Sequence, residues 1–494
     1  MKGRTMTVPT SHGGVSHTPT NTQPNTKPVT VKRTLSVFDL VVFGMIFMVP
    51  IAPFSILASV STTSHGMPAL AYLIAMIAML FTALSFDLMV PRYPSSGSIF
   101  VYATDEINGP VGFVVGWLML LQYLITPAIM LIMAGLAIHE YVPNVPVWVW
   151  CLIFLAIISI VAMRGASATV LVDKLALVAE LVVLALFFIF GIIYVAKHPD
   201  IAHFSLDGFY NPSKFEFGAV MSAVSLCAMS FVGFGSVVTL DDQSLDPKHG
   251  PSRAMIIIVL ILGALYMAMS LLTVCMDPNG TIMAANPNNG FYVVAALAGK
   301  WLGVLCAIAN ALALGIFTAL SGMTAGSSLL RVMANDDALP SVFGRISSKT
   351  RVATVATGFV IILTLVLIFV LLPVGMTTGA KISNYGALST YFMLNIAVIW
   401  GLGIKGKLRS HGRFWRTIIF PLIGAAVTGT IFCSLGTPVL IIGTVWLVLG
   451  IVFYYVWTKA LHHAPDLLSE ARAKGETKQQ RIAGKQTSSA NARA

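Results

Sequence analysis

The runs of sequence that lack charge decide what this chain can fold into. No Asp, Glu, Lys or Arg occurs from Leu40 to Phe86, from Phe217 to Leu240, or from Thr417 to Thr458. A helix that crosses a bilayer needs about 20 mostly apolar residues, so each window holds one or two crossings. What is left could not cover a water-facing surface: charged types make up 10% of the 494 residues, against about 25% in a soluble domain. The chain reads as an all-α polytopic membrane protein.

Treating every charge-poor window alike predicts twelve spans, near 36–63, 68–90, 110–136, 146–163, 173–196, 217–240, 254–276, 301–330, 353–374, 383–404, 417–435 and 437–458. An even number puts both termini on one side. With the N-terminus inside, the outer loops hold only Lys197, Lys214, Lys300 and Lys381, and the other Lys and Arg face inward. One inner loop alone carries Lys405, Lys407, Arg409, Arg413 and Arg416 and no acid. That bias predicts cytoplasmic termini in a plasma (inner) membrane, and it assigns the net charge of +11 to topology and anionic lipid rather than to nucleic acid. Residues 1–34 and 462–494 are polar and are expected to be disordered cytoplasmic tails. The first tail has no apolar core, so no cleavable signal peptide is expected. Between the tails the reading gives a transport core over 35–404, then the basic loop and the last two helices over 405–461.

Chemistry other than binding finds little support. Cys151, Cys227, Cys275, Cys306 and Cys433 are scattered singly through apolar windows, and His65 and His139 are isolated. This is neither a disulfide framework nor a metal site, and no cofactor or catalytic group is expected.

The residues that break helices are more informative. The first span carries Val49-Pro50-Ile51-Ala52-Pro53 at its middle. Proline removes a donor and clashes with the preceding turn, so two of them should unwind the helix there. The sixth span carries Ser230-Phe231-Val232-Gly233-Phe234-Gly235-Ser236 at a similar depth. Freed backbone groups at that depth are tolerated only against protein or a water-filled cavity. If the first ten spans divide as five plus five, each break falls in the first span of a block, and the odd number inverts the second block. Paired broken helices in inverted repeats point to a midplane site in secondary transporters.

Several further runs resemble one family. They are Leu80-Phe81-Thr82-Ala83-Leu84-Ser85, Pro94-Ser95-Ser96-Gly97-Ser98, Val111-Gly112-Phe113-Val114-Val115-Gly116-Trp117, Ser230-Phe231-Val232-Gly233-Phe234, Asp336-Asp337-Ala338-Leu339-Pro340 and Asn384-Tyr385-Gly386-Ala387-Leu388. In that order they resemble the amino acid–polyamine–organocation superfamily, and within it bacterial putrescine-importer-like permeases, from about Leu35 to Lys459. The resemblance implies a leucine-transporter-like 5+5 inverted repeat plus two extra helices, with substrate held between spans 1, 3, 6, 8 and 10. Putrescine-importer-like sequences tend to carry acids where this chain has Gly235 and Gln122, and an acidic pair where it has Asp242 and Gln243.

Charge bears on the substrate. An unpaired buried charge costs several kcal/mol, and no acid lies at midplane depth in spans 1, 3, 6, 8 and 10; Asp39 and Asp241 both belong near the inner face. A zwitterionic amino acid fits best, its carboxylate on opened half-helix N-termini and its ammonium on opposed carbonyls. A monoamine over Phe231, Phe234 or Tyr123 by cation–π contact is the runner-up; putrescine import is the alternative function, and a transporter-derived sensor is more distant. The expected substrate-binding residues are Pro50, Ile51, Ala52, Pro53, Gln122, Tyr123, Phe231, Gly233, Phe234, Gly235, Asn310 and Tyr385.

Glu180 lies about 10 Å into span 5 from Asp173 at 1.5 Å per residue. Intramembrane acids are usually functional, and some members of the resembled superfamily carry a proton-coupling lysine here. Glu180 is therefore expected to bind a coupling proton. Asp87, Arg92, Asp241 and Asp242 are the candidate gating charges at the inner ends of spans 2 and 6.

Overall fold

The computed structural model describes residues 35–93, 99–164, 170–231, 233–235, 237–238, 244–347, 352–405 and 414–460, all within one unit, Arg33–Ala494. Both expected tails, most of the basic loop, and Asp241 and Asp242 lie outside the described residues.

Helices account for the ordered elements, and the only β contact among the described residues is an isolated bridge between Leu35 and Ser244. In chain order the helices are α1 (Val37–Met48), α2 (Leu57–Thr63), α3 (Pro68–Met89), α4 (Ile99–Glu106), α5 (Gly109–His139), α6 (Val147–Arg164), α7 (Val170–Lys197) and α8 (Phe217–Cys227). They continue with α9 (Gly250–Met276), α10 (Thr281–Ala285), α11 (Gly290–Ala298), α12 (Lys300–Leu312), α13 (Ala319–Asn335), α14 (Thr354–Val374), α15 (Met376–Val398), α16 (Phe420–Cys433) and α17 (Thr437–Tyr455).

Local chemistry sets several of these boundaries. Ser36 and Asp39 open α1 as a capping box: Asp39 N–H donates to Ser36 Oγ at 3.2 Å and Ser36 N–H to Asp39 Oδ2 at 3.0 Å. Asn108 accepts from Val111 N–H at 3.0 Å to open α5, with Pro110 in the first turn where its missing donor costs nothing. α12 and α13 join through a wide turn over Ala313–Thr318, so one span runs Lys300–Asn335.

Eleven helices among the described residues are long and apolar enough to cross a membrane, and Phe217–Phe231 is a shorter apolar helix. The count differs from twelve because the sixth segment's continuous helix runs only over Phe217–Phe231, with Gly233 interrupting it just beyond. The charge pattern also misses three short helices: α4 carries Asp105 and Glu106, and α10 and α11 lie in a charge-free stretch broken by Asn286-Pro287-Asn288-Asn289. Lys381, expected in a loop, lies inside α15.

α5 is the pillar of the bundle. In its most apolar window 83% of the residues are buried, against 17% for the last span, so α5 stands inside and α17 outside. α15, α13, α14, α6 and α4 pack around it. Contact with α15 is close enough that a Cβ on Gly386 would meet Leu118 O at 2.5 Å. α17 is tied on by a reciprocal pair, the indole N–H of Trp117 to Trp446 O and that of Trp446 to Trp117 O, both at 2.9 Å. A second group forms around α9, which packs against α3, α1 and α7.

Candidate functional site

The two interrupted segments meet in the second group. α1 ends at Met48, and Val49 turns to φ +57°. A residue before proline is disfavoured from the α region, so Pro50 forces the departure at Val49. The chain resumes as a 3-10 turn over Ala52–Ser55, with Pro53 near its start, and then as α2. In the other segment α8 ends at Cys227, a 3-10 turn covers Ala228–Phe231, and Gly233 follows at φ +112°. Only glycine adopts that angle without steric cost. The breaks touch: a Cβ on Gly233 would lie 3.4 Å from Phe47 O.

Backbone carbonyls freed by the breaks find side chains on neighbouring helices. Tyr266 of α9 is fully buried, and its hydroxyl lies 3.2 Å from Met48 O, 3.1 Å from Val49 O and 3.2 Å from Ser230 O. Tyr72 of α3 sets its hydroxyl 3.2 Å from Ser230 Oγ. The Phe231 ring meets Tyr266 edge-on at 5.4 Å. Neither tyrosine was singled out in the sequence. The signal was there: a tyrosine in an apolar span has a polar tip that must find a partner.

On the far side of the first break a second polar group closes. Asn310 of α12 donates from Nδ2 to Ser55 Oγ at 2.5 Å and to Tyr292 OH at 2.7 Å. Its Oδ1 is buried with no partner. Below the second break the lining is aromatic. Phe234 packs on Phe86 at 5.9 Å and on Tyr391 at 5.4 Å, and Gly235 faces the Phe86 ring.

The other expected substrate contacts divide. Pro50, Ile51 and Pro53 are buried and Ala52 is half-buried, all at the first break. Tyr123 is half-buried on α5, where a Cβ on Gly326 of α13 would meet its Cβ at 3.5 Å. Gln122, its neighbour on α5, is buried against α15, where a Cβ on Gly386 would meet its Cβ at 3.2 Å. Tyr385 faces away: its ring packs on Phe432 of α16 at 4.8 Å and its hydroxyl lies 3.5 Å from Thr444 of α17. Asn384 takes the inward direction instead, donating to Ser225 O at 2.6 Å. Successive residues on a helix point about 100° apart, since one turn takes 3.6 residues, so both could not face the break.

Glu180 of α7 is buried, with Oε2 lacking a partner. α7 packs against α1 and α9, the helices that carry Met48 and Tyr266.

Asp87 and Arg92 take different partners. Arg416 Nη2 meets Asp87 Oδ2 at 2.6 Å, and Ser252 Oγ donates to Asp87 Oδ1 at 2.6 Å. Arg92 Nε pairs with buried Glu106 at 2.9 Å, and Tyr93 OH donates to the same carboxylate at 2.8 Å. Burial and the Glu106 carboxylate hold the Tyr93 phenol above its ordinary range. These contacts tie the end of α3 to α4, to α9 and to the segment entering α16.

A bundle of apolar helices, with two of them unwound side by side around polar groups, defines a broken-helix membrane transporter. The sequence matches the profile of the amino acid permease family over residues 34–465, and the chain belongs to that family. It is similar to the low-affinity putrescine importer PlaP of Escherichia coli (strain K12), 28% identical over 459 residues that cover 90% of this chain and 97% of that protein. The branched-chain amino acid permease BcaP of Bacillus subtilis (strain 168) is 24% identical, covering 87% and 94%. The lysine-specific permease LysP of Lactococcus lactis subsp. cremoris (strain MG1363) is 27% identical, covering 77% and 78%. The chain is a multi-pass membrane transporter.

Proposed function

We propose that the protein is a secondary carrier that moves an amino acid or related small amine by alternating access, with the cargo held at the paired breaks. The observation that carries this reading is the meeting of Met48, Val49 and Ser230 carbonyls around one tyrosine hydroxyl. A cargo ammonium takes those carbonyls, and its carboxylate faces the positive end of the half-helix that restarts at Ala52. Phe231, Phe234, Tyr391 and Tyr123 enclose its side chain. Glu180 is a buried acid with one carboxylate oxygen unpartnered, on a helix that packs against α1 and α9. A single carboxylate matches one cationic group better than the two of a diamine, since each unpaired buried charge costs several kcal/mol. The similarity to PlaP favours putrescine import as the second reading.

The remaining parts follow from the same frame. Counting Phe217–Phe231 as a crossing restores twelve spans, and the two breaks then head inverted five-helix blocks with two helices added. Both termini are cytoplasmic, in the plasma membrane, because the basic residues cluster on their side. The Asp87–Arg416 and Arg92–Glu106 pairs belong to the inner gate, and their parting accompanies inward opening. Glu180 carries the coupling proton: binding one removes the charge that is costliest in an apolar surround.

Counterflow in proteoliposomes, with a panel of amino acids and amines and with or without a pH gradient, tests this directly. Exchange of radiolabelled amino acids, with accumulation only under a pH gradient, is the expected result. Exchange restricted to diamines would transfer the assignment to putrescine import, and binding without flux would make the chain a sensor.

A further inference from the structure

One lysine inside the bundle has no acid to meet. Lys381 lies in the second turn of α15, half-buried, and its Nζ donates to Ser222 Oγ of α8 at 3.0 Å. Among the described residues it enters no ion pair. The acid at the start of α8, Glu216, faces His65 at 3.9 Å instead. A charged side chain within a membrane span is expensive and marks a functional position by default.

α3 shows which end of the bundle this is. Near its start, Ala69 N–H donates to Gly208 O, in the stretch that leads to α8, and its last turns hold Asp87. A helix from Ala69 to Asp87 at about 1.5 Å per residue separates these points by about 27 Å. Lys381 therefore sits at the end opposite the Asp87–Arg416 pair.

The seam between α15 and α8 beside it is polar in a regular way. One turn deeper on α15, Asn384 donates to Ser225 O while its Oδ1 stays unpartnered and buried. Residues three apart on a helix share a face, so Lys381 with Ser222 and Asn384 with Ser225 form successive rungs of one seam. α15 also packs along Ala228–Phe231, so the seam leads to Ser230 and the second break. An ammonium held only by a serine hydroxyl at the head of such a seam keeps most of its field. Walls of low dielectric concentrate that field on whatever enters.

We propose that Lys381 selects cargo by charge at the mouth of the route to the breaks, favouring molecules that carry a carboxylate and disfavouring amines that lack one. This deepens the transport reading and rests on it for the word cargo, but the selectivity itself can be read by binding alone. The probes are L-leucine, isoamylamine (the same skeleton without the carboxylate) and putrescine. Thermal stabilisation of the detergent-solubilised full chain and counterflow in proteoliposomes are both measured, for wild type, Lys381→Arg, Lys381→Gln and Lys381→Glu.

Wild type and Lys381→Arg are expected to prefer leucine over isoamylamine. Lys381→Gln should narrow that preference by about tenfold, a factor ordinary for one charge acting at several ångströms in a half-wet site. Lys381→Glu should invert it toward isoamylamine and putrescine. A preference unchanged in both Lys381→Gln and Lys381→Glu overturns the proposal, as does a wild type that leucine fails to stabilise. Charge-selective stabilisation without counterflow would end the transport reading and leave the role of Lys381 standing. Counterflow whose preference ignores Lys381→Glu would do the reverse.

Discussion

The α5–α15 pair and the α1–α8 pair lie in one bundle and are held together by opposite means. α5 and α15 are long helices, α5 continuous even through Pro127, and they approach until Gly386 nearly touches Leu118 O. α1 and α8 stop half-way, and the carbonyls they release are met by Tyr266, while Tyr72 reaches Ser230 Oγ. Contact in the first pair depends on shape. In the second it depends on polar side chains reaching in from neighbours, because no water in the hydrocarbon layer can do that work. The difference teaches that a broken span recruits its own binding chemistry: the side chains that make the break tolerable are those that a polar cargo would meet.

Four substitutions would break or sharpen that contrast. The largest effect is expected from Glu180→Gln on α7, the helix packed against α1: accumulation driven by a pH gradient falls to background, while counterflow, which needs no gradient, continues. Accumulation that survives would remove Glu180 from coupling. Next comes Tyr266→Phe. Leaving buried carbonyls unmet costs about 1–3 kcal/mol, so the half-saturating substrate concentration is expected to move by roughly ten- to a hundredfold, read from counterflow. No movement would mean that the carbonyls at the breaks do not hold cargo.

On the pillar side, Gly386→Ala drives a methyl group into the Leu118 carbonyl. Overpacking of this kind costs about 1–3 kcal/mol, so a lower melting temperature is expected, with the order of substrate preference kept. A changed preference would show that the pillar takes part in recognition. The smallest effect belongs to Tyr385→Phe, whose hydroxyl faces Thr444 at 3.5 Å. A hydrogen bond inside a membrane bundle averages about 0.6 kcal/mol, so a slight loss of thermal stability and an unaltered counterflow curve are expected.

Much of this was readable in the sequence, for reasons that particular residues make plain. Charge-free windows mark membrane spans because charge is what a bilayer rejects; Pro50 and Pro53 mark one break because proline lacks a donor and clashes with the preceding turn, and Gly233 marks the other because glycine weakens a helix and admits a positive φ. Direction around a helix axis was not readable. α15 carries polar residues all round, Lys381, Ser383, Asn384 and Ser389 among them, so no apolar stripe orients it, and Tyr385 was expected at the site where its neighbour Asn384 is the one that faces inward. Partners across the fold were equally hidden: nothing in the linear order says that Asp87 meets Arg416 or that Arg92 meets Glu106. Tyr266 escaped notice because its neighbours in α9 are apolar, and only the packed structure shows three carbonyl oxygens at its tip.

That last arrangement has an arithmetic consequence. A phenol carries a single hydrogen; Val49 O also receives the Ala52 N–H at 2.9 Å, but Met48 O and Ser230 O both lie 3.2 Å from that one hydroxyl. Supply falls short of demand by design of the fold, and a primary ammonium, with three hydrogens to give, is the shape of guest that would make up the shortfall.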